Sequence, residues 1–471
     1  MGAGSVPDAR EAGGAMEGKT PAGETAGRDP RADTTVDIAT SAASDEAADL
    51  QDLSDYLVGN YRWFHRHPEL SYEEVGTTAR IRMLLETNGI EILDSGLRTG
   101  LVAIIRADAP APGGCRDNRD GRNNRDNRDG RDTHVDRPVI AIRGDIDALP
   151  LDEQTGLAYS SENPGVMHAC GHDVNLMVAL GAAILLNSRF DELAGDVKVV
   201  FQPAEEVRAD EEHPTGAVAV RRTGVLDDVR VFLGTHDTDE LGVGQIGISS
   251  GAVSGAVDKF RIDITGHGTH AAHPDKGVNP VSVAAAIVTA LQNLASQEVD
   301  PVHPHVLTVT HLEAGDTWNV VPSTAFLEGT VRTADVDDRD RIRQGILRVS
   351  ELTAQAFGAH ADVAWTPSSP SVINDSGLAA AAREVAETSG LLSVASPATL
   401  GGEDFSYYLR HDDEWTGAAG LFVHLGAASA EFPPHVIHSP FFAPDPRVIP
   451  SGARFLADLS IRVLHDLVRE R

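Results

Sequence analysis

Lysine is almost missing from this chain: four occur in 471 residues (Lys19, Lys198, Lys259 and Lys276), so arginine carries nearly all the positive charge. Acidic residues far outnumber basic ones, and the formal net charge is -32. That surplus argues against nucleic acid or an anionic membrane surface as a partner, because either would repel it. Cysteine is as scarce: the two present are Cys115 and Cys170, the first in a polar, repetitive stretch. This argues against a disulfide framework and fits a reducing cytoplasm. No apolar run approaches the roughly 20 residues that a membrane-spanning helix needs. A basic-then-apolar secretory pattern is absent at the start, and Val6 stands where a myristoylation motif wants Ser or Thr. The expected protein is soluble and cytoplasmic, and its length and 41 % apolar content allow two or three domains with well-buried cores.

Two segments have too few large apolar side chains to offset the entropy of ordering them. One is an N-terminal tail, residues 1–45; the other is an Arg/Asp/Asn/Gly repeat at 107–137, read as a disordered insertion in a hairpin.

Between and after them the pattern alternates. A helix with Leu50, Leu53 and Leu57 on one face ends at Pro68, and a second follows over 77–88. β-like runs at 100–105 and 139–142 precede a helix at 173–186, a strand at 196–202, a helix through 217–222 and a strand at 229–234. This reads as an α/β fold with covering helices, in which sites gather at strand ends. Residues 251–365 change texture to strand, helix, two strands, helix, which suggests a smaller α+β domain inserted into the catalytic one formed by 46–250 and 366–471.

The chemistry-bearing residues fall in the loops after those strands. Cys170, His172, Glu206, His236 and His438 offer S, N and O ligands from four loops, and that mixture suits divalent transition ions, two better than one. Zinc or manganese fits such donors, with cobalt and nickel also compatible. Glu205 and Glu206 are adjacent, so they need different tasks: one can bind metal while the other serves as a general base.

Six segments in this order resemble one family: Arg-Gly-Asp-Ile-Asp-Ala-Leu-Pro (143–150), Met-His-Ala-Cys-Gly-His-Asp (167–173), Gln-Pro-Ala-Glu-Glu (202–206), Gly-His-Gly-Thr-His-Ala-Ala (266–272), Asn-Val-Val-Pro (319–322) and His-Ser-Pro-Phe (438–441). It is the co-catalytic metallopeptidase family related to aminoacylase and carboxypeptidase G. The amidohydrolase branch, with hippurate hydrolase and the plant indoleacetyl-amino-acid hydrolases, is the most similar. The resemblance implies that Cys170, His172, Glu206, His236 and His438 bind two metal ions and that Glu205 is the general base. It also implies that His270 stabilises the oxyanion across a homodimer, that Asn319 helps hold the substrate, and that the inserted domain is a lid through which subunits pair. The implied activity is hydrolysis of N-acyl amino acids or similar small amides, with metal-bound water as nucleophile. The alternatives are a dipeptidase or carboxypeptidase on the same centre, or a non-catalytic binding protein. The chain departs from the family pattern at Asn175, where His is usual, and at Asp275, which follows Pro274 in place of His.

Overall fold

The computed structural model describes residues 43–107, 137–207, 214–397, 399–412 and 415–470. The two polar segments expected at 1–45 and 107–137 lie outside these residues except at their edges. Helix α1 (Ala43–Arg66) stops ahead of Pro68 and buries Leu53, Leu57, Tyr61 and Phe64; α2 (Val75–Thr87) buries Ile81, Leu84 and Leu85. Strands β1 (Glu91–Leu93), β2 (Leu101–Ile105) and β3 (Val139–Asp145) follow, then α3 (His172–Ser188), β4 (Asp196–Gln202), α4 (Gly216–Arg221), β5 (Val229–Gly242) and β6 (Gln245–Gly247). The chain reaches the second unit through β7 (Gly251–Ala252).

That unit contains β8 (Ala256–Thr265), β9 (Thr269–His270), α5 (Pro280–Glu298), β10 (His305–Ala314), β11 (Val320–Val321), β12 (Thr324–Thr333), α6 (Val336–Ala356) and β13 (His360–Pro367). The path then returns through β14 (Ile373–Asn374), α7 (Ser376–Thr388), β15 (Leu392–Val394), α8 (Ser406–Leu409), β16 (Ala419–Ala428) and α9 (Val448–Arg469).

The large sheet is mixed, in the order β1-β2-β4-β3-β5-β16-β6-β15. Its centre, β4-β3-β5-β16, is parallel. These strands read as near-continuous apolar runs because helices cover them: β3 and β4 are buried at six of seven positions. Helix α3 lies in the middle of this core with every residue from His172 to Leu186 buried. A helix apolar all round belongs inside rather than on a surface.

One sequence expectation fails here. Strands β2 and β3, which flank the 107–137 segment, do not form a hairpin, because β4 lies between them, antiparallel to β2 and parallel to β3. Pairing is decided by burial over long range: β4 is buried at six of its seven positions and takes the interior place.

The second unit has its own antiparallel sheet, β10-β12-β8-β13. Helices α5 and α6 enclose a separate apolar cluster with it, including Phe260, Ile262, Ile287, Leu291, Leu327 and Ile346. Strand β8 buries every second residue, as a sheet with one wet face requires. The two chain crossings into this unit run side by side, with β7 paired to β14 and Val257 hydrogen-bonded to Ser369 and Ser368. Among the described residues no helix is long and apolar enough to cross a membrane.

Candidate metal centre

Three adjacent parallel strands build the centre. Strand β3 ends at Asp145, with Asp147 two residues beyond; β4 leads into Ala204, Glu205 and Glu206; β5 carries His236. Gly171 begins α3 with a φ of 83° and turns the chain so that Cys170 and His172 face the same strand ends. A Cβ on Gly171 would sit 1.9 Å from Asp237 Oδ1, so only glycine fits. His438 arrives from the loop before α9, its N–H bonded to the Ala169 carbonyl at 2.7 Å. Ala204 and His438 are non-glycine residues with positive φ, 52° and 62°, and such backbone is held where function demands it.

Five of the side chains aim their donor atoms at common points. Ligand atoms of Cys170, His172 and His236 all lie within 4.8 Å of one another, as do those of Cys170, Glu206 and His438. Cys170 Sγ is 3.6 Å from His236 Nε2, and His438 Nε2 is 3.0 Å from Glu206 Oε1. The histidines are oriented from behind. His172 Nδ1 is 3.0 Å from the Asp147 carbonyl and 3.1 Å from its Oδ1; His236 Nδ1 is 2.7 Å from the Asp237 carbonyl. A carbonyl accepts, so each Nδ1 carries a proton and each Nε2 is the ring nitrogen left to meet a cation. His172 Nε2 is buried and has no hydrogen-bond partner among the described residues, and Glu206 Oε1, also buried, faces His438 Nε2. Buried lone pairs without donors are costly in a metal-free protein, and cations placed among them would satisfy them. The residues present therefore fit a pair of divalent ions.

The electrostatics point the same way. Burial, together with Glu403, Asp404 and Glu206, pushes the Glu205 carboxyl well above its ordinary range. Burial also raises Asp404, to about 7, with Arg143 opposing and Glu403 adding to the rise. Asp147 goes the other way: burial would raise it, but hydrogen bonds from His172, Ser71 and the Glu206 N–H prevail and hold it at about 2. Arg143, fully buried, answers part of the acidic crowding through ion pairs to Asp145, Glu403 and Asp404. The Asp404 N–H donates to Glu205 Oε1 at 3.3 Å, which ties this network to Glu205.

Cys170, His172, Glu205, Glu206, His236 and His438 thus come together. His270 and Asn319 do not join them. They lie on the β9–β11 ribbon, where His270 pairs with Val320 and the Ala271 N–H bonds to the Asn319 carbonyl. The cavity beside the cluster, about 370 Å³, is lined by Cys170, Glu205, Glu206, His236 and His438 with Glu403, Phe422 and His424 among others, and by neither His270 nor Asn319. A larger groove of about 980 Å³ beside α6 and β13 contains none of the ligand groups, so volume does not locate the chemistry. Sequence reasoning assigned no role to Arg143, Asp145, Asp147, Glu403, Asp404 or Asp237. The signals were the strand ending in Arg-Gly-Asp-Ile-Asp and the Gly-Gly-Glu-Asp loop, both visible but without partners until folded.

A mixed sheet whose parallel strand ends carry paired metal-ligand sets beside a raised carboxylate defines a metal-dependent hydrolase. The chain belongs to the peptidase family M20/M25/M40, whose model matches residues 141–462. It is 36 % identical to N-acetyl-L-cysteine deacetylase of Bacillus subtilis over 92 % of this chain and 94 % of that protein. An IAA-amino acid hydrolase of Arabidopsis thaliana, ILR1-like 5, is 32 % identical over 89 % of each chain. Among solved structures, a dinuclear metal binding peptidase from Bacillus subtilis superposes with a TM-score of 0.73 at 36 % identity, covering 88 % of this chain and 99 % of that one.

Proposed function

We propose that the protein hydrolyses the amide bond of an N-acyl amino acid or a similar small amide. The observation that carries this reading is the convergence of the Cys170, His172, His236, Glu206 and His438 donor atoms beside a second carboxyl, Glu205, which comes within 4.8 Å of ligand atoms of His172 and Glu206. Cys170, His172 and His236 would hold one ion and Cys170, Glu206 and His438 the other. Zinc or manganese is the ion we expect, on the thiolate, imidazole and carboxylate mixture. When bound, the two ions would supply Lewis-acid activation of water and of the scissile carbonyl. Glu205 takes the proton from the attacking water and returns it to the leaving amine; its raised pKa suits a group that must hold that proton between the two steps. Arg143 keeps Glu403 and Asp404 fixed beside it.

His270 and Asn319 complete the site, in our reading, from the second subunit of a homodimer, with residues 251–365 as lid and dimerisation domain and 46–250 with 366–471 as the catalytic domain. What supports this is that both residues stand on a ribbon outside the cluster's own cavity, and that His270 is exposed. The free, buried Cys170 suits a cytoplasmic setting.

The test joins metal analysis of the purified protein to a panel of N-acetyl, N-benzoyl and dipeptide substrates. Two ions per chain and turnover of the N-acyl amino acids are expected. Cleavage of dipeptides alone would make the protein a dipeptidase, and no cleavage at full metal loading would leave a binding protein.

A further inference from the structure

We propose that Asn175 is a positioning residue for one of the two ions, acting through His236. It lies on α3 three residues after His172 and is completely buried. Its Nδ2 donates to Asp145 Oδ1 at 2.9 Å, and its Oδ1 accepts the Asp237 N–H at 3.2 Å. The amide orientation is dictated by these partners, since a carboxylate here needs a donor and an N–H needs an acceptor. One side chain thereby ties the end of β3 to the middle of β5.

Both tied groups bear on His236. The Asp237 carbonyl takes the His236 Nδ1 proton at 2.7 Å and so sets the direction of Nε2. Asp145, His236 and Glu403 bring ligand-capable atoms within 4.8 Å of one another. The Asp237 carboxylate makes no hydrogen bond among the described residues; its Oδ1 stands 3.5 Å from His236 Nδ1. Two ligands of the other ion are held by groups that Asn175 does not touch: Asp147 accepts the Glu206 N–H at 3.0 Å, and the His438 N–H is bonded to the Ala169 carbonyl. Loss of the Asn175 amide therefore disturbs the ion at Cys170, His172 and His236 while leaving the one at Cys170, Glu206 and His438. Aspartate at this position keeps the shape but has no donor and faces the Asp145 carboxylate.

The inference rests on the two-ion reading above, and the test separates the two. Metal-stripped wild type, Asn175→Ala and Asn175→Asp are titrated with zinc against a chromophoric chelator, and with cobalt while the visible spectrum is recorded. Wild type is expected to bind two ions. In both variants one ion should bind about 10- to 100-fold more weakly with the other unchanged, and the cobalt bands of one site alone should shift. Unaltered affinity for both ions, or equal loss of both, overturns the proposal. Wild type that binds no ion refutes the metal reading instead. Near-UV circular dichroism confirms the fold, and the isosteric Asn175→Asp carries the test if Asn175→Ala fails to fold.

Discussion

His65 Nδ1 stands 2.7 Å from Asp173 Oδ2, and both side chains are sealed from solvent. The pair joins α1 to the first turn of α3, the residue after His172, so it fixes the helix that presents part of the metal centre. Glu153 approaches the other ring nitrogen, Nε2, at 3.4 Å. Replacing His65 by Leu should destabilise the fold by about 3–5 kcal/mol, because it leaves the Asp173 charge buried without its partner. Urea unfolding checks this; a loss under 1 kcal/mol would mean that the pair is structurally idle.

The same pair predicts a pH window. Burial alone would lower the His65 pKa, but Asp173, then Glu153, outweigh it and raise it from 6.5 to about 9. The folded state holds this proton more tightly than the unfolded state. Its stabilisation is complete below about pH 6.5 and is lost as the pH climbs through about 9. The melting temperature of wild type should fall between pH 7 and 10, and more steeply than that of His65→Leu.

Glu205→Gln should retain both ions and lose turnover by about 10²- to 10⁴-fold, the usual range for a positioned base. Metal content and kcat measured on the same preparation decide it. Near-wild-type turnover would take Glu205 out of the reaction.

Gly171→Ala should destabilise by about 1–3 kcal/mol and weaken metal binding. Its φ of 83° strains any other residue, and the new Cβ meets Asp237 Oδ1. Chemical denaturation with and without metal separates the two effects.

Removing the ions with a chelator should lower the melting temperature reversibly. An ion at 100 times its Kd stabilises by about 2.7 kcal/mol if the unfolded chain does not bind it. Scanning calorimetry before and after adding the ion back measures this.

The sequence by itself determined the ligand chemistry and the periodicities. Glu205, Glu206 and His236 were legible because each follows a strand-like run, where an α/β sheet exposes side chains, and Cys170, His172 and His438 through the motifs that resemble the family. The strand at 196–202 lies where the apolar run placed it, and the alternation through 258–266 marked a sheet with one wet face. Local patterns record whether a residue is buried; they do not record what covers it. Tertiary structure alone decided that β4 separates β2 from β3, since pairing depends on which strand needs cover on both faces. It also decided the Arg143 network, whose partners Asp145 and Glu403 stand 2 and 260 residues away in the chain. Asn175 shows the division most clearly. The sequence marks it as a departure from the family pattern, but only the pairing of β3 with β5 gives its amide one carboxylate to feed and one N–H to receive.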